Sequence, residues 1–230
     1  MWVPRRHALA HPDRPRPMDR DECDAALSVW AVTCDALARG EQVFLLAPGG
    51  ATEMSKLEHT EFWLLPDWEG QRTQALTEPY QDRLRALDDL RHQDDRARLK
   101  FFATVEYLEQ VTSPHDLRAL DGEHTLRSGA VRGLFGGAGS AGAGESEAGV
   151  SLLVLRVHAR PEAAVVERRD LEPAGGGSST SGRLPGALAR RWRRLPEPVS
   201  VADMDPVVRD ERFLSLKAHI LQRTGAIRAV

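Results

Sequence analysis

LSVWAVTCDALARGEQVFLLAPGGATEMSKLEHTEFWLLPDWEGQ, from Leu27 to Gln71, is the stretch whose reading decides the fold. Leu27, Trp30, Ala31, Cys34, Leu37 and Ala38 recur at spacings of three and four. That period predicts an amphipathic helix, capped by Asp19 or Asp21 and closed by Gly40 in the left-handed conformation. Val43–Leu46 is a continuous apolar run, as in a strand covered on both faces, so Gln42–Leu46 is expected as a strand. Pro48-Gly49-Gly50 reads as a turn, and Glu61–Leu65 as a second strand that breaks at Pro66. The unit is therefore a helix followed by a hairpin, although the polar Ala51–Thr60 is long for a tight hairpin loop.

Outward from that stretch, composition sets the limits. A chain of 230 residues with 41% hydrophobic content can bury one substantial core. With 31 basic against 34 acidic residues and a formal charge of -3, no field of the whole molecule draws in nucleic acid or membrane, so such a partner needs a local patch. Cys23 and Cys34, placed on one helix, stand about 16 Å apart at 1.5 Å per residue and cannot bridge. The proline- and arginine-rich start has no apolar core of a secretory signal, and no run approaches the roughly 20 apolar residues of a membrane span. The expectation is a soluble protein of a reducing cytoplasm without a membrane partner, with residues 1–20 a disordered tail and Met18 an alternative start.

Further along, Leu76, Tyr80, Leu84, Leu87 and Leu90 predict a helix that ends by His92, and Phe101–Val111 alternates as a strand. Ser113 can cap a helix with Pro114 at its first position, and Gly122 closes that turn. Leu126, Ala130, Val131 and Leu134 predict helix from Glu123, Val150–Val157 is the most apolar strand, and Ala163–Glu167 follows it as another. The glycine-rich segments 136–149 and 172–186 read as flexible loops grown out of one domain, residues 21–224. Leu184–Leu195 fits a surface helix with Leu184, Leu188, Trp192 and Leu195 on one stripe. A terminal helix from Asp205 or Asp210 to Gln222 buries Phe213, Leu216, Ile220 and Leu221, with Gly225 beyond its end. The fold class expected is α+β: a mixed sheet of five or six strands with four or five helices.

Two clusters carry candidate chemistry. Arg190-Arg191-Trp192-Arg193-Arg194 places four guanidinium groups around an indole, with no acid from Arg183 to Leu195. Such a patch can bind the phosphates of a nucleic acid while Trp192 stacks on a base; the same residues also suit a solvated helix packed by its apolar side. Asp67 and Glu69, directly after a strand and with Glu53 in support, suggest a metal-assisted hydrolase or nuclease; they equally suit the start of a helix. The eight histidines show no ligand spacing beside a carboxylate on one element, so no dedicated metal site and no cofactor is expected. His124 and His158 read as polar ends of elements, and neither cysteine has a neighbouring His or Lys to activate it.

Trp30-Ala31, Ala36-Leu37, Gly40-Glu41-Gln42, Leu45-Leu46, Gly49-Gly50, Glu53 and Phe62-Trp63-Leu64-Leu65-Pro66 with Glu69 and Gln71 resemble the opening block of a bacterial family catalogued as domain of unknown function 1802. Leu153–Val157 resembles its late apolar strand, and Pro206-Val207-Val208 with Phe213 its closing helix. The resemblance implies no activity. Ala47 and Pro48 stand where the family usually has an Arg-Lys pair, Gly70 where it has a His, and the stretch 172–186 replaces a late Cys and Trp motif. If the family's function rests on those groups, this chain lacks it.

Overall fold

The computed structural model describes residues 21–48, 59–69, 71–91, 95–135, 149–173 and 191–225. Glu53, Arg190, the glycines of the expected turn and most of both glycine-rich segments lie outside the described residues. In chain order the elements are β1 (Glu22–Trp30), α1 (Ala31–Ala38), β2 (Phe44–Pro48), β3 (Glu61–Asp67), α2 (Glu78–Arg91) and β4 (Arg96–Val111). There follow α3 (Pro114–Arg118), α4 (Ser128–Phe135), β5 (Val150–Glu167), β6 (Glu172–Pro173), β7 (Trp192–Ser200), β8 (Asp205–Pro206) and α5 (Asp210–Arg223). The strands make one mixed sheet in the order β2-β5-β4-β3-β1-β7-β6, with β8 paired to β5. The α+β class is as expected; among the described residues the sheet has eight strands where five or six were anticipated.

Leu27–Trp30 is not helical. It ends β1, which pairs in parallel with β3 from Ala26↔Trp63 to Trp30↔Asp67, and only then does α1 begin. Ala25, Ala26, Leu27 and Val29 are all buried, because β1 lies between two strands and is covered on both faces. A run apolar at every position but Ser28 matches the three-and-four spacing of a helix as well as it matches a buried strand, so periodicity could not separate them. Cys23 therefore lies in β1 and Cys34 in α1; both are free and buried.

The expected hairpin also dissolves. β2 pairs with β5, Phe44↔Val154 and Leu46↔Leu152, while β3 lies between β1 and β4 and runs through Pro66 to Asp67. The early apolar run and the late one thus share a ladder. Val150–Val157 and Ala163–Glu167 form one continuous strand, β4 starts at Arg96 rather than Phe101, and the helix expected from Glu123 starts at Ser128. Leu126 instead makes an isolated bridge to the buried Leu76.

Punctuation that depends on near neighbours falls where expected. Gly40 has φ +65° after α1, and Gly122 and Gly225 are also left-handed. Ser113 Oγ accepts from His115 N at 3.2 Å at the start of α3, with Pro114 as first residue. The core has two clusters of buried apolar side chains. One gathers Leu27, Phe62, Trp63, Phe102 and Leu155; the other holds the helices to β2 and β5 through Phe44, Leu117, Val131, Val154 and Phe213. No helix among the described residues is long and apolar enough to cross a membrane.

Candidate functional site

Where β1 gives way to α1, the chain leaves a cavity of about 70 Å³, bounded by β2, the segment His124–Leu126, α4 and Arg191. That is room for about five water molecules. Its apolar wall includes Leu27, Leu45, Leu126, Leu134 and Leu153, and the half-buried Trp30 stands on it as well. The polar wall is made by Ser28, Thr33, Gln42, His124, Thr125 and Arg191.

Most of these polar groups are held by their neighbours. The Thr33 and Thr125 hydroxyls are 3.1 Å apart. Gln42 donates from Nε2 to the Phe44 carbonyl at 2.5 Å and accepts the Thr125 amide on Oε1 at 3.1 Å, so its amide cannot flip without losing both bonds. Leu126 N donates to His124 Nδ1 at 3.2 Å, which leaves the ring proton on Nε2. Burial pulls the His124 pKa below its ordinary value, against the pull of Asp121 and Glu123, so the ring is neutral and Nε2 has no hydrogen-bond partner among the described residues. Beside the cavity wall, Gln71 Oε1 accepts Val32 N at 3.1 Å, supplying the first turn of α1 with an acceptor that its N-cap residue Trp30 does not provide.

Arg191 differs from the rest. It is half-buried, and burial lowers its pKa while the charge of Asp67 works in the opposite direction. It has no hydrogen bond or ion pair among the described residues, so a guanidinium held partly out of water remains open to an acceptor from outside. Among the described residues no carboxylate lines the cavity. Cys34 packs close by, its Sγ 3.6 Å from the Val29 carbonyl oxygen, but burial, helped by Asp67 and Asp35, pushes its thiol far above the ordinary range and keeps it protonated. The arrangement can bind a ligand; among the described residues that line it there is neither a poised nucleophile nor an acid–base pair.

Of the residues singled out in the sequence, the structure brings some to this place and disperses others. Asp67 Oδ1 accepts Glu69 N at 2.9 Å, a local turn directly after β3, and Glu69 is exposed. Among the described residues no three His, Cys, Asp or Glu side chains are placed to hold a metal ion, and Glu53 lies outside them. From Trp192 onward the arginine patch is strand rather than the expected helix. Trp192 begins β7 opposite Leu27, is 3% exposed, and packs edge-on against Phe62 at 5.0 Å and His59 at 5.1 Å. Its indole offers no face to a base. Arg193 Nη1 donates to the Trp192 carbonyl at 2.9 Å, and Arg194 meets Asp24 at 3.1 Å. Arg191 alone of the described arginines in that run reaches the cavity.

Sequence reading passed over Gln42, Thr33, Thr125 and Trp30, and took His124, here 2% exposed, for the polar end of an element. The one local hint was Gln42, a polar side chain directly before an apolar run.

A family model described as a domain of unknown function, DUF1802, matches residues 26–219. No curated protein matches the chain. Among solved structures, the crystal structure of a mutant ZmASCH protein from Zymomonas mobilis is similar at 14% identity and a TM-score of 0.36, covering 65% of this chain and 77% of that one.

Proposed function

The chain belongs to the DUF1802 family, and on that premise, which fixes no activity, we propose that it is a non-catalytic interaction module that binds single-stranded nucleic acid at the cavity between β1, α1 and β2. Arg191 takes a phosphate, and Trp30 replaces Trp192 as the indole against which a base rests. The observation that carries the reading is the shared wall: half-buried Arg191, with no hydrogen bond or ion pair among the described residues, and half-buried Trp30 line one cavity that has both an aliphatic and a polar wall. The hydroxyls of Thr33 and Thr125 and the amide of Gln42 stand behind them for the edge of a base.

Binding of a labelled oligothymidylate, followed by fluorescence anisotropy at a series of salt concentrations, tests this. The affinity should fall with salt, with a log–log slope of about -0.7 per phosphate contact. Arg191→Ala should remove about one such contact, and Trp30→Ala should weaken binding by about 1–3 kcal/mol at fixed salt. Equal affinity and equal slope in Arg191→Ala, with the fold verified by circular dichroism, would reject the proposal.

A further inference from the structure

Beyond the last residue that pairs with β3, the first part of β4 has a single strand partner among the described residues. Arg96–Leu99 pairs with Ala164–Glu167 of β5 as a two-stranded ribbon, whereas β3 reaches β4 only at Phe102–Thr104. Alternation divides the ribbon into two faces. Ala97 and Leu99 are fully buried in the cluster around Trp63, with Ala164 and Val166 packed against them. Arg96, Arg98 and Lys100 face outward and are exposed. At two residues per step Arg96 and Arg98 lie about 6.8 Å apart, a repeat close to that of phosphates along an extended single strand, and Lys100 follows at the register shift between Leu99 and Phe101.

The remaining groups on the ribbon matter to its charge. Glu167 stands across from Arg96 at 3.8 Å, Arg96 and Arg98 each hold a further interaction, and Arg98 pairs in register with Val165, the one large hydrophobic residue that is strongly exposed among the described residues, at 54%. Asp95 and Glu162 sit at its ends, and Asp170 is drawn to Arg169 at 3.8 Å. In a chain whose formal charge is -3, a strand that turns cations outward at three successive outward positions is a local departure.

The ribbon is also fastened beside the cavity. Arg168 donates from its backbone to the Asp95 carbonyl at 2.8 Å and from Nη2 to the Pro66 carbonyl at 3.2 Å. Pro66 precedes Asp67, which pairs in register with Trp30 and whose charge acts on Arg191. The β1 side of the cavity, at Trp30, is thus linked through β3 and Arg168 to the start of the cation row.

We infer that the outer face of this ribbon, Arg96, Arg98 and Lys100 with Val165, is a second contact surface, along which the backbone of the nucleic acid runs after leaving the cavity. This rests on the binding reading above and adds to it a surface and a minimum length of ligand. Charged residues on a ribbon also deter pairing with other chains, and that role alone would leave binding untouched when they are replaced.

The test compares oligothymidylates of roughly four and roughly sixteen nucleotides, lengths that bracket a single binding groove. In the full chain, the triple replacement Arg96→Gln, Arg98→Gln, Lys100→Gln should lower the salt slope for the long strand by about 2, three contacts at about 0.7 each, and leave the short strand unaffected. A long-strand slope unchanged by the triple replacement, while Arg191→Ala still lowers it, would overturn the ribbon and keep the cavity. Absence of binding in the unaltered protein would overturn both. If the triple variant self-associates, Val165→Glu at its exposed position repeats the test by adding an acid to the row: weakened binding of the long strand only is the expected result, and unchanged binding counts against the surface.

Discussion

Lys217 of α5 and Glu106 of β4 form an ion pair at 3.1 Å with side chains 5% and 0% exposed, and replacing Lys217 by Met should be among the most damaging changes available to this fold. The amine would be lost while the carboxylate stayed under the helix, and removing one partner of a buried pair costs about 3–5 kcal/mol. The lower end is expected here, since Glu106 also lies close enough to Arg156 to act on that guanidinium and keeps further interactions of its own. About 3 kcal/mol would lower Tm by roughly 6–12 °C for a chain of this size. Urea denaturation followed by circular dichroism measures the loss. The double variant Glu106→Leu, Lys217→Met should recover most of it, because two apolar side chains can replace a buried pair at little net cost once neither charge remains. A Lys217→Met protein within 0.5 kcal/mol of the unaltered one, read against the roughly 3 kcal/mol expected, would refute the reasoning, as would a double variant as damaged as the two single ones summed.

Stability should also depend on acid. Burial, with repulsion from Arg156, holds His158 down to about 4, and burial lowers His124, so the folded state keeps both rings neutral while the unfolded chain protonates near pH 6.5. Their contribution is complete above about pH 6.5 and is lost as pH falls below it, for His158 down to about 4, by up to about 1.4 kcal/mol per pH unit for each group. Urea midpoints that stay level between pH 7 and pH 5 would contradict this, and His158→Gln should flatten part of the slope. Gly40→Ala should cost about 2–4 kcal/mol: roughly 1–2 for a side chain in the left-handed region, and the rest for a Cβ that would fall 2.4 Å from Val208 Cγ2. Differential scanning calorimetry would show it, and an unchanged Tm would mean that the approach of Val208 yields freely.

How much of this was legible can be followed along the chain. The Ser113 cap, the left-handed Gly40 and Gly122, and the helices over Glu78–Arg91 and Asp210–Arg223 depend on residues within a turn of one another, and the chain displays them. The resemblance to the DUF1802 family was likewise legible, and the family model spans residues 26–219. Ala25–Val29 became a strand because β3 and β7 lie on either side of it, and Trp192 turned inward because Phe62 and His59 were there to pack against it. Neither neighbour is near in sequence.

The candidate site separates the two kinds of information most clearly. From the sequence came its acidic and basic suspects, Asp67, Glu69 and the arginine run. The tertiary structure selected Arg191 among the described arginines, turned Asp67 to the amide of Glu69, and assembled a cavity from Trp30, Thr33, Gln42, His124 and Thr125. By itself the sequence determined where helices stop and which segments are too apolar to meet water, since both follow from backbone sterics and transfer free energy acting residue by residue. Which strands pair, which indole is covered and which guanidinium keeps an open side were decided only when distant segments closed into one sheet, because a partner's identity is a property of the pair.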